Sequence, residues 1–319
     1  MDLTATGSAM TSLVGNVEKV IVGKREEVSL AVIALFGGQH LLVEGVPGTG
    51  KTMLSRALAR SIDGTFKRIQ GTSDLLPSDI TGASVFDQSS SSFHFVPGPV
   101  FAHVVLFDEI NRAGPKTQSA LLEVMDEGSI SVDGNVYELP HPFFVVATRN
   151  PIEHHGTFPL PEGELDRFGL SIDMGYPDPE AERRVITGQL VAHPVDDLEP
   201  VVPPEDVVAH QTAVRTVHVD RSVIDYVVSI VSATRNRADV ALGASTRASV
   251  SLTRAAQATA ILRGRDYVLP DDVKDIAPSV LAHRVLLASE TGGRSQRARD
   301  VVAEILVATQ APVGGRSDR

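Results

Sequence analysis

The segment Gly45–Thr52 constrains this chain more than any other part of its sequence. It reads Gly-Val-Pro-Gly-Thr-Gly-Lys-Thr, follows the apolar run Leu41–Val43 and opens a helical pattern over Lys51–Ser61. A glycine-rich loop between a strand and a helix directs backbone N–H groups and the helix dipole at phosphate oxygens. The segment, called here the phosphate loop, predicts a nucleotide site in which Lys51 reaches the β- and γ-phosphates and Thr52 binds Mg²⁺.

Short apolar strands alternate with helical stretches from His40 to about Asp173. The expected strands are Leu41–Val43, Phe66–Ile69, Val104–Phe107, Phe143–Ala147 and Leu170–Ile172. The expected helices of this part are Leu30–Phe36, Lys51–Ser61 and Lys116–Asp126. Such alternation is typical of a parallel sheet covered on both faces by helices, so the sequence predicts an α/β fold.

Two segments interrupt this alternation, and each predicts a β-hairpin. Within residues 81–97 a polar tip, Asp87–Ser92, separates two apolar arms, which indicates a hairpin with or without helical flanks. A surface loop is the alternative for this segment. In the second segment the turn Asp133–Asn135 separates two β-rich arms, which is a stronger hairpin signal.

The cluster Tyr176–Pro179 interrupts regular structure, and the sequence beyond it is helical in pattern. Apolar residues recur at helical spacing in Asp220–Arg235, Ser245–Arg263 and Pro270–His283. We therefore expect an α/β core over residues 1–176, a smaller all-α lid over residues 177–311 and a disordered tail over residues 312–319.

Two adjacent carboxylates, Asp108 and Glu109, end the strand Val104–Phe107. Ligands collect at the carboxyl ends of the strands in open parallel sheets. Together with the phosphate loop, Asp108 is predicted to hold Mg²⁺ directly or through water, and Glu109 to polarise the attacking water. Without that loop, an acidic pair at a strand end would more simply cap a helix.

Three further polar residues stand where they could act on a phosphate group. Asn150 follows the strand Phe143–Ala147, a position suited to sensing the γ-phosphate, although Asn before Pro is also ordinary turn chemistry. Arg167 precedes a strand, where its guanidinium could stabilise a transferring phosphoryl group or simply pair with Asp166. Arg247, near the start of a helix, carries the same ambiguity.

These elements occur in the order and approximate spacing of an AAA+ ATPase, and longer segments resemble the MoxR family. The segments that carry the resemblance are Leu106–Ala113, Thr148–Pro151, Leu165–Phe168, Gly243–Ala248 and Leu262–Val268. The resemblance extends from about Val20 to Arg284, which is nearly the whole chain. It implies an AAA+ P-loop parallel sheet sandwiched by helices and followed by a smaller helical lid.

The resemblance also implies a role for each candidate residue. Lys51 and Thr52 fall in the Walker A motif, Asp108 and Glu109 in Walker B, Asn150 at sensor 1, Arg167 at the arginine finger and Arg247 at sensor 2. The residues expected at ATP are Val22, Gly23, Gly45, Val46, Pro47, Gly48, Thr49, Gly50, Lys51, Thr52 and Met53, with Thr52 and Asp108 at Mg²⁺. Residues 81–97 correspond to the family's helix-2 insert, and residues 129–139 to its pre-sensor hairpin.

The chain departs from the family pattern at a few positions. Arg149 stands where Gln is familiar, Gly114 where Pro is, Gly163 and Glu164 where Ala and Gln are, and Thr246 where Pro is. None of these departures removes a catalytic group. Arg149, however, could alter the charge beside sensor 1.

The composition limits the classes of protein to which this chain can belong. Its 319 residues include no Cys, which excludes disulfides and thiolate sites and fits a reducing compartment. The start lacks a secretory signal and the apolar runs are too short for a membrane helix, so we expect a cytoplasmic protein. A net charge of −11 works against non-specific binding to nucleic acid. His154 and His155 lack a spaced third ligand, which favours a solvated loop over a metal site.

The family resemblance implies an ATPase that converts ATP and water to ADP and phosphate. The energy would serve to remodel, mature or load cofactors into client proteins, often ones with a von Willebrand factor A domain. The resemblance implies a homo-oligomeric, hexameric ring in which Arg167 enters a neighbour's site and Arg247 closes over the phosphates of its own chain. Two alternatives stay open, namely a nucleotide-gated scaffold with little turnover and a chelatase-like metal-insertion subunit.

Overall fold

The computed structural model of the protein describes residues 2–150, 156–190, 193–288 and 294–312. The strands are β1 (His40–Glu44), β2 (Phe66–Gln70), β3 (Gly82–Asp87), β4 (Ser92–Pro97), β5 (Val104–Asp108), β6 (Ser129–Val132), β7 (Asn135–Glu138), β8 (Phe144–Arg149), β9 (Phe168–Asp173), β10 (Val240–Leu242) and β11 (Leu286–Leu287). The helices are α1 (Leu3–Val17), α2 (Arg25–Phe36), α3 (Lys51–Ser61), α4 (Pro77–Thr81), α5 (Pro115–Glu127), α6 (Glu162–Leu165), α7 (Pro179–Gly188), α8 (Pro204–Val214), α9 (Arg221–Arg235), α10 (Thr246–Leu262), α11 (Pro270–Leu281) and α12 (Arg294–Ala308). Short 3₁₀ helices lie at Ile110–Arg112 and Ala282–Arg284.

Five of the described strands form a parallel sheet in the order β2-β5-β8-β1-β9. On β1, Leu41 and Val43 pack into the core beneath α1, α2 and α3, whereas Leu42 packs into the core beneath α5. A strand that is buried on both faces reads as a continuous apolar run, which is why β1, β5, β8 and β9 could be located from the sequence. The predicted fold class, a parallel sheet sandwiched by helices and followed by a helical lid, is confirmed.

The first helix, α1, was not expected from the sequence, and α2 begins at Arg25 rather than Leu30. Gly, Ser and Thr are frequent in α1, and they lower intrinsic helix propensity. The helix is instead stabilised by packing and by its N-cap, where the Asp2 carboxylate accepts a hydrogen bond from the Thr4 N–H. A Cβ on Gly7 would lie 3.0 Å from the carbonyl oxygen of Ile261 on α10, so this small residue allows close helix packing.

One buried cluster joins the N-terminal helices, the sheet and the lid. Met10 on α1, Val32 on α2 and Leu252 on α10 belong to the same cluster as Leu41. Because the packing is continuous, the division into a core over residues 1–176 and a lid over residues 177–311 remains a proposal. Of the tail expected from residue 312 onwards, residues 313–319 lie outside the described residues, as do His154 and His155.

Both segments that interrupt the alternation are antiparallel hairpins, formed by β3 with β4 and by β6 with β7. The first has a helical flank, α4, and is not an irregular loop. Phe95 stacks on Tyr137 with ring centroids 4.1 Å apart, so the two hairpins lie side by side. Large apolar side chains project from both hairpins, since Phe93 is 72% exposed and Val136 is 62% exposed.

Among the helices that the structure describes, none combines the length and the apolar character that a membrane span requires.

The buried carboxylate of Asp272 organises the lid segment Leu262–Val268, which also carries part of the family resemblance. Asp272 is fully buried and accepts hydrogen bonds of 2.5 to 2.9 Å from Arg263, Arg265 and the backbone N–H of Leu269. The bond from Leu269 also caps the start of α11, whose first turn contains Asp271 and Asp272. A buried charge requires such partners, so this carboxylate connects α10 to α11.

Asp272→Asn is expected to lower the free energy of unfolding by about 1 to 3 kcal/mol, because it removes the buried negative charge that two guanidinium groups share. Chemical unfolding followed by circular dichroism measures the change. Asp271→Asn is the matched control, and it should leave the unfolding midpoint nearly unchanged because that side chain is 77% exposed. Equal midpoints for the two variants would show that the Asp272 contacts do not stabilise the lid.

Candidate functional site

The phosphate loop connects β1 to α3 at the carboxyl edge of the sheet. Gly45, Gly48 and Gly50 have φ angles of 145°, 84° and 91°, a region that favours glycine. A Cβ on Gly45 would collide with the carbonyl group of Met174, so this glycine also lets the loop pass close to the end of β9. The glycines therefore supply the backbone shape that a phosphate-cradling turn requires.

Lys51 is the first residue of α3 and lies over the phosphate loop. Its Nζ donates hydrogen bonds to the carbonyl oxygens of Gly45 and Val46 at 2.5 and 3.2 Å. Thr49 Oγ1 donates to the same Val46 carbonyl at 3.0 Å. The ammonium group is thus held at the positive end of the α3 dipole, where a phosphate group would be bound.

A cavity of about 610 Å³ adjoins the phosphate loop, and this volume is typical of sites for small molecules and cofactors. Most of the predicted nucleotide contacts line it, namely Val22, Pro47, Gly48, Thr49, Gly50, Lys51, Thr52 and Met53. The cavity also contains three residues predicted to act on the phosphates, Asp108, Glu109 and Asn150. The structure therefore brings together residues from the ends of β1, β5 and β8.

Gly23, Gly45 and Val46 were also predicted as nucleotide contacts, but they are not among the described residues that line this cavity. Gly23 has a φ of 74°, and a Cβ there would collide with the side chain of Ala181 on α7. This glycine therefore lets α7 approach the segment before α2. The same helix contributes Arg184 to the cavity wall.

The hydroxyl of Thr148 connects the two acidic residues that end β5. It donates to Asp108 Oδ1 at 2.6 Å and accepts from the backbone N–H of Glu109 at 2.8 Å. Thr148 reaches both residues because β8 pairs in parallel with β5. Glu109 has a φ of 56°, which is uncommon for a residue with a side chain. The hydrogen bond from its N–H to Thr148 therefore helps to hold Glu109 in a strained backbone conformation beside the phosphate loop.

The acidic pair is also contacted by two guanidinium groups and one amide group that were not predicted from the sequence. Arg68 on β2 donates to Asp108 Oδ2 at 2.7 Å, and Gln70 on the same strand donates to Glu109 Oε2 at 3.1 Å. Arg112 donates to the same Glu109 oxygen at 3.2 Å. The spacing of Arg68 and Gln70 is the signal that could have found them, because residues i and i+2 of a strand share one face.

Asn150 follows β8 and lines the cavity, where it is 8% exposed. Its neighbour Arg149 forms an ion pair with Glu44, the last residue of β1, which is almost completely buried. Glu44 and Arg149 are partners in the register between β1 and β8. The charge that Arg149 adds beside Asn150 is therefore balanced by Glu44.

Arg167 and Arg247 meet at one carboxylate, that of Asp126 near the end of α5. Arg167 forms an ion pair with Asp126 and donates to the carbonyl oxygen of Leu122 at 3.1 Å. Arg247 Nη2 lies 3.5 Å from the same Asp126 oxygen. Burial lowers the pKa of Arg167, and the nearby Arg247 guanidinium lowers it further. Neither arginine is among the described residues that line the cavity.

Arg247 was expected to close over the phosphates of its own chain, and this role stays a prediction, since the residue is not among the described residues that line the cavity. The start of α10 is attached to the loop of Arg167, because Ser245, the N-cap of α10, donates to Asp166 at 2.7 Å. The cavity wall is instead completed by α7 and the residues that follow it, including Gln189 and His193.

The sequence profile of the ATPase family associated with various cellular activities (AAA) matches residues 40–170, and that of the AAA lid domain matches residues 232–305. The chain is 49% identical to the uncharacterized protein YeaC of Bacillus subtilis, with 94% of each chain covered. A crystal structure of a protein described as an ATPase from Cytophaga hutchinsonii superimposes with a TM-score of 0.85 at 35% identity and covers 95% of both chains.

A chaperone, MoxR1 of Mycobacterium tuberculosis, is 42% identical over 294 residues, which cover 89% of this chain and 78% of that protein. The chain belongs to the MoxR family of AAA+ ATPases. The predicted family is thereby confirmed.

The departures from the MoxR pattern lie outside the cavity lining among the described residues. Gly114 is the N-cap of α5, and Thr246 is the first residue of α10, a position that favours Pro but does not require it. Glu164 accepts a hydrogen bond from Ser119 at 3.2 Å. Burial raises the pKa of Glu164.

Thr148→Val is expected to reduce ATP turnover roughly 10- to 100-fold, because it removes the hydroxyl that positions Asp108 and Glu109. ATP affinity should stay within about threefold of the parent, since the phosphate loop is unchanged. Phosphate release and nucleotide titration measure the two quantities.

Thr148→Ser is the matched control, because it retains the hydroxyl and should retain most of the turnover. Parent-like turnover in Thr148→Val would show that this bridge does not position the acidic pair.

Proposed function

We propose that this chain binds ATP with Mg²⁺ and hydrolyses it to ADP and phosphate. The observation that carries the proposal is that the phosphate loop and the acidic pair of β5 line one cavity. The pair is held by Thr148 on the neighbouring strand, so its geometry does not depend on a flexible loop.

The donor set of the cavity fits a nucleotide and its metal ion. Lys51 and the N-terminus of α3 supply positive charge for the phosphates, while Val22 and Met53 supply apolar wall. Mg²⁺ bound to a nucleotide uses only one or two protein carboxylates, with phosphates and water as its other ligands. Asp108 and the hydroxyl of Thr52 are the residues that would hold it, and the ion would neutralise charge on the phosphates.

Glu109 is the residue that would polarise the attacking water. A carboxylate must be ionised and correctly aimed for this task. Gln70 and Arg112 both donate to its Oε2 atom, and these hydrogen bonds orient the carboxylate. Asn150, which lines the same cavity, would sense the γ-phosphate through its side-chain amide.

The arginines support a homo-oligomeric enzyme. Arg167 and Arg247 are attached to each other through Asp126 and lie apart from the cavity of their own chain. Developing charge on a transferring phosphoryl group is stabilised by arginine, which a neighbouring subunit can supply. We therefore propose a ring, hexameric as the family resemblance implies, in which both arginines serve the neighbour's cavity.

The free energy of ATP hydrolysis would drive work on client proteins in the cytoplasm. The relative MoxR1 is named a chaperone. In this chain the hairpins β3–β4 and β6–β7 expose Phe86, Phe93 and Val136, which suits contact with a client polypeptide. Loss of the γ-phosphate would change the contacts at Asn150 and thereby shift the hairpins. Clients with a von Willebrand factor A domain remain part of this proposal, and the family resemblance is what supports them.

Lys51→Ala is expected to abolish ATP binding, because it removes the ammonium group from the phosphate loop. Glu109→Gln should bind ATP with an affinity within about threefold of the parent but lose turnover by roughly 100-fold or more. Titration with a fluorescent nucleotide and a phosphate-release assay measure these properties.

Glu205→Gln, an exposed change on α8, is the matched control and should behave like the parent. Parent-like turnover in Glu109→Gln would contradict the assignment of the site. A parent chain that binds ATP but shows no turnover at any protein concentration would instead support the nucleotide-gated scaffold.

A further inference from the structure

Asp166 joins the loop of Arg167 to two separate parts of the lid. Its Oδ2 accepts a hydrogen bond of 2.7 Å from Ser245, the N-cap of α10. Its Oδ1 accepts one of 3.0 Å from Nε of Arg284, in the 3₁₀ helix that follows α11. Both carboxylate oxygens therefore accept hydrogen bonds from the lid. The residue that follows Asp166 in the chain is Arg167.

Every N–H group of the Arg284 side chain donates a hydrogen bond, and these bonds hold the residue in place. Nε donates to Asp166 Oδ1, Nη1 donates to the carbonyls of Gly169 and Val280, and Nη2 donates to the carbonyl of Asp166 and to the hydroxyl of Ser251. The residue is 5% exposed. Burial lowers the pKa of Arg284 to about 10, so it remains charged at neutral pH. A charged group with all five N–H donors satisfied is a rigid attachment point.

The two functional arginines are thus connected at both ends. At their backbones, Asp166 is adjacent to Arg167, and Ser245 lies two residues before Arg247. At their tips, both guanidinium groups contact Asp126. A change in the Asp166 contacts would therefore alter the position of both arginines together, and would not touch the cavity residues of the same chain.

We propose that Asp166, through Ser245 and Arg284, is a positioning residue that holds Arg167 and Arg247 as one unit directed at the cavity of a neighbouring copy. The inference rests on the proposed function, because it requires the arginines to act between subunits. Misplacement of a catalytic group by about 1 Å can cost roughly 100-fold in rate, so the attachment should have a large effect on turnover.

Mixed assemblies separate this role from a general effect on folding. An acceptor chain carries Arg167→Ala and has an intact cavity, whereas a donor chain carries Glu109→Gln or Lys51→Ala and has intact arginines. Each chain alone should show little turnover. Mixing donor and acceptor should restore turnover at the interfaces where an intact cavity meets intact arginines.

Ser245→Ala and Asp166→Asn are then placed in either the donor or the acceptor. In the donor, each is expected to reduce the restored turnover by about tenfold or more, because the donor supplies the arginines. In the acceptor, each should leave the restored turnover and the ATP affinity nearly unchanged. Ser245→Thr retains the hydroxyl and the helix cap, and in the donor it should restore turnover like the parent residue.

Equal losses from the donor side and the acceptor side would overturn the positioning role, because they would indicate a general structural effect. Full restoration with Ser245→Ala in the donor would overturn it as well. If Asp166→Asn fails to fold, Ser245→Ala with its Thr control still decides the question, since the ion pair with Arg284 remains. If neither donor restores turnover while it retains its native Asp166 and Ser245, the proposed action of the arginines on a neighbouring subunit is contradicted. The positioning role is then contradicted as well.

Discussion

The parallel pairing of β5 with β8 is the contact on which the site depends. It places Thr148 beside the end of β5, where one hydroxyl holds the carboxylate of Asp108 and the backbone of Glu109. Parallel strands end at the same edge of a sheet, so the phosphate loop after β1 and Asn150 after β8 adjoin the same cavity. The acidic pair is therefore positioned by the sheet itself, and the strain at Glu109 is maintained by a buried scaffold.

Acidic groups at this edge are balanced by arginines from other strands. Arg68 on β2 pairs with Asp108, and Arg149 on β8 pairs with Glu44 on β1. Without these partners, several unpaired negative charges would gather at the proposed site of the nucleoside triphosphate, and they would repel its phosphates. The arginines proposed to stabilise the transferred phosphoryl group, Arg167 in particular, belong to a different face. In the proposed ring, the cavity of one copy would meet the arginines of the next copy.

Contiguous features were predictable from the sequence. The buried strands of the sheet, the phosphate loop and Asp108 with Glu109 are each specified by one short segment, because local backbone shape and burial determine them. Contacts between distant segments were not predictable. The pairing of Arg68 with Asp108 depends on strand register, and the placement of Arg247 depends on how the lid packs. That packing is set in part by a hydrogen bond between Arg284 and Asp166, whose positions differ by 118 residues.

The dependence of ATP turnover on protein concentration tests the central claim most directly. Turnover per chain would be measured over a wide dilution series, with the oligomeric state followed by light scattering in the same buffer. If each cavity requires arginines from a neighbour, turnover per chain rises from near zero in the monomer to a plateau in the assembled form. Constant turnover per chain, including in samples shown to be monomeric, would contradict the account.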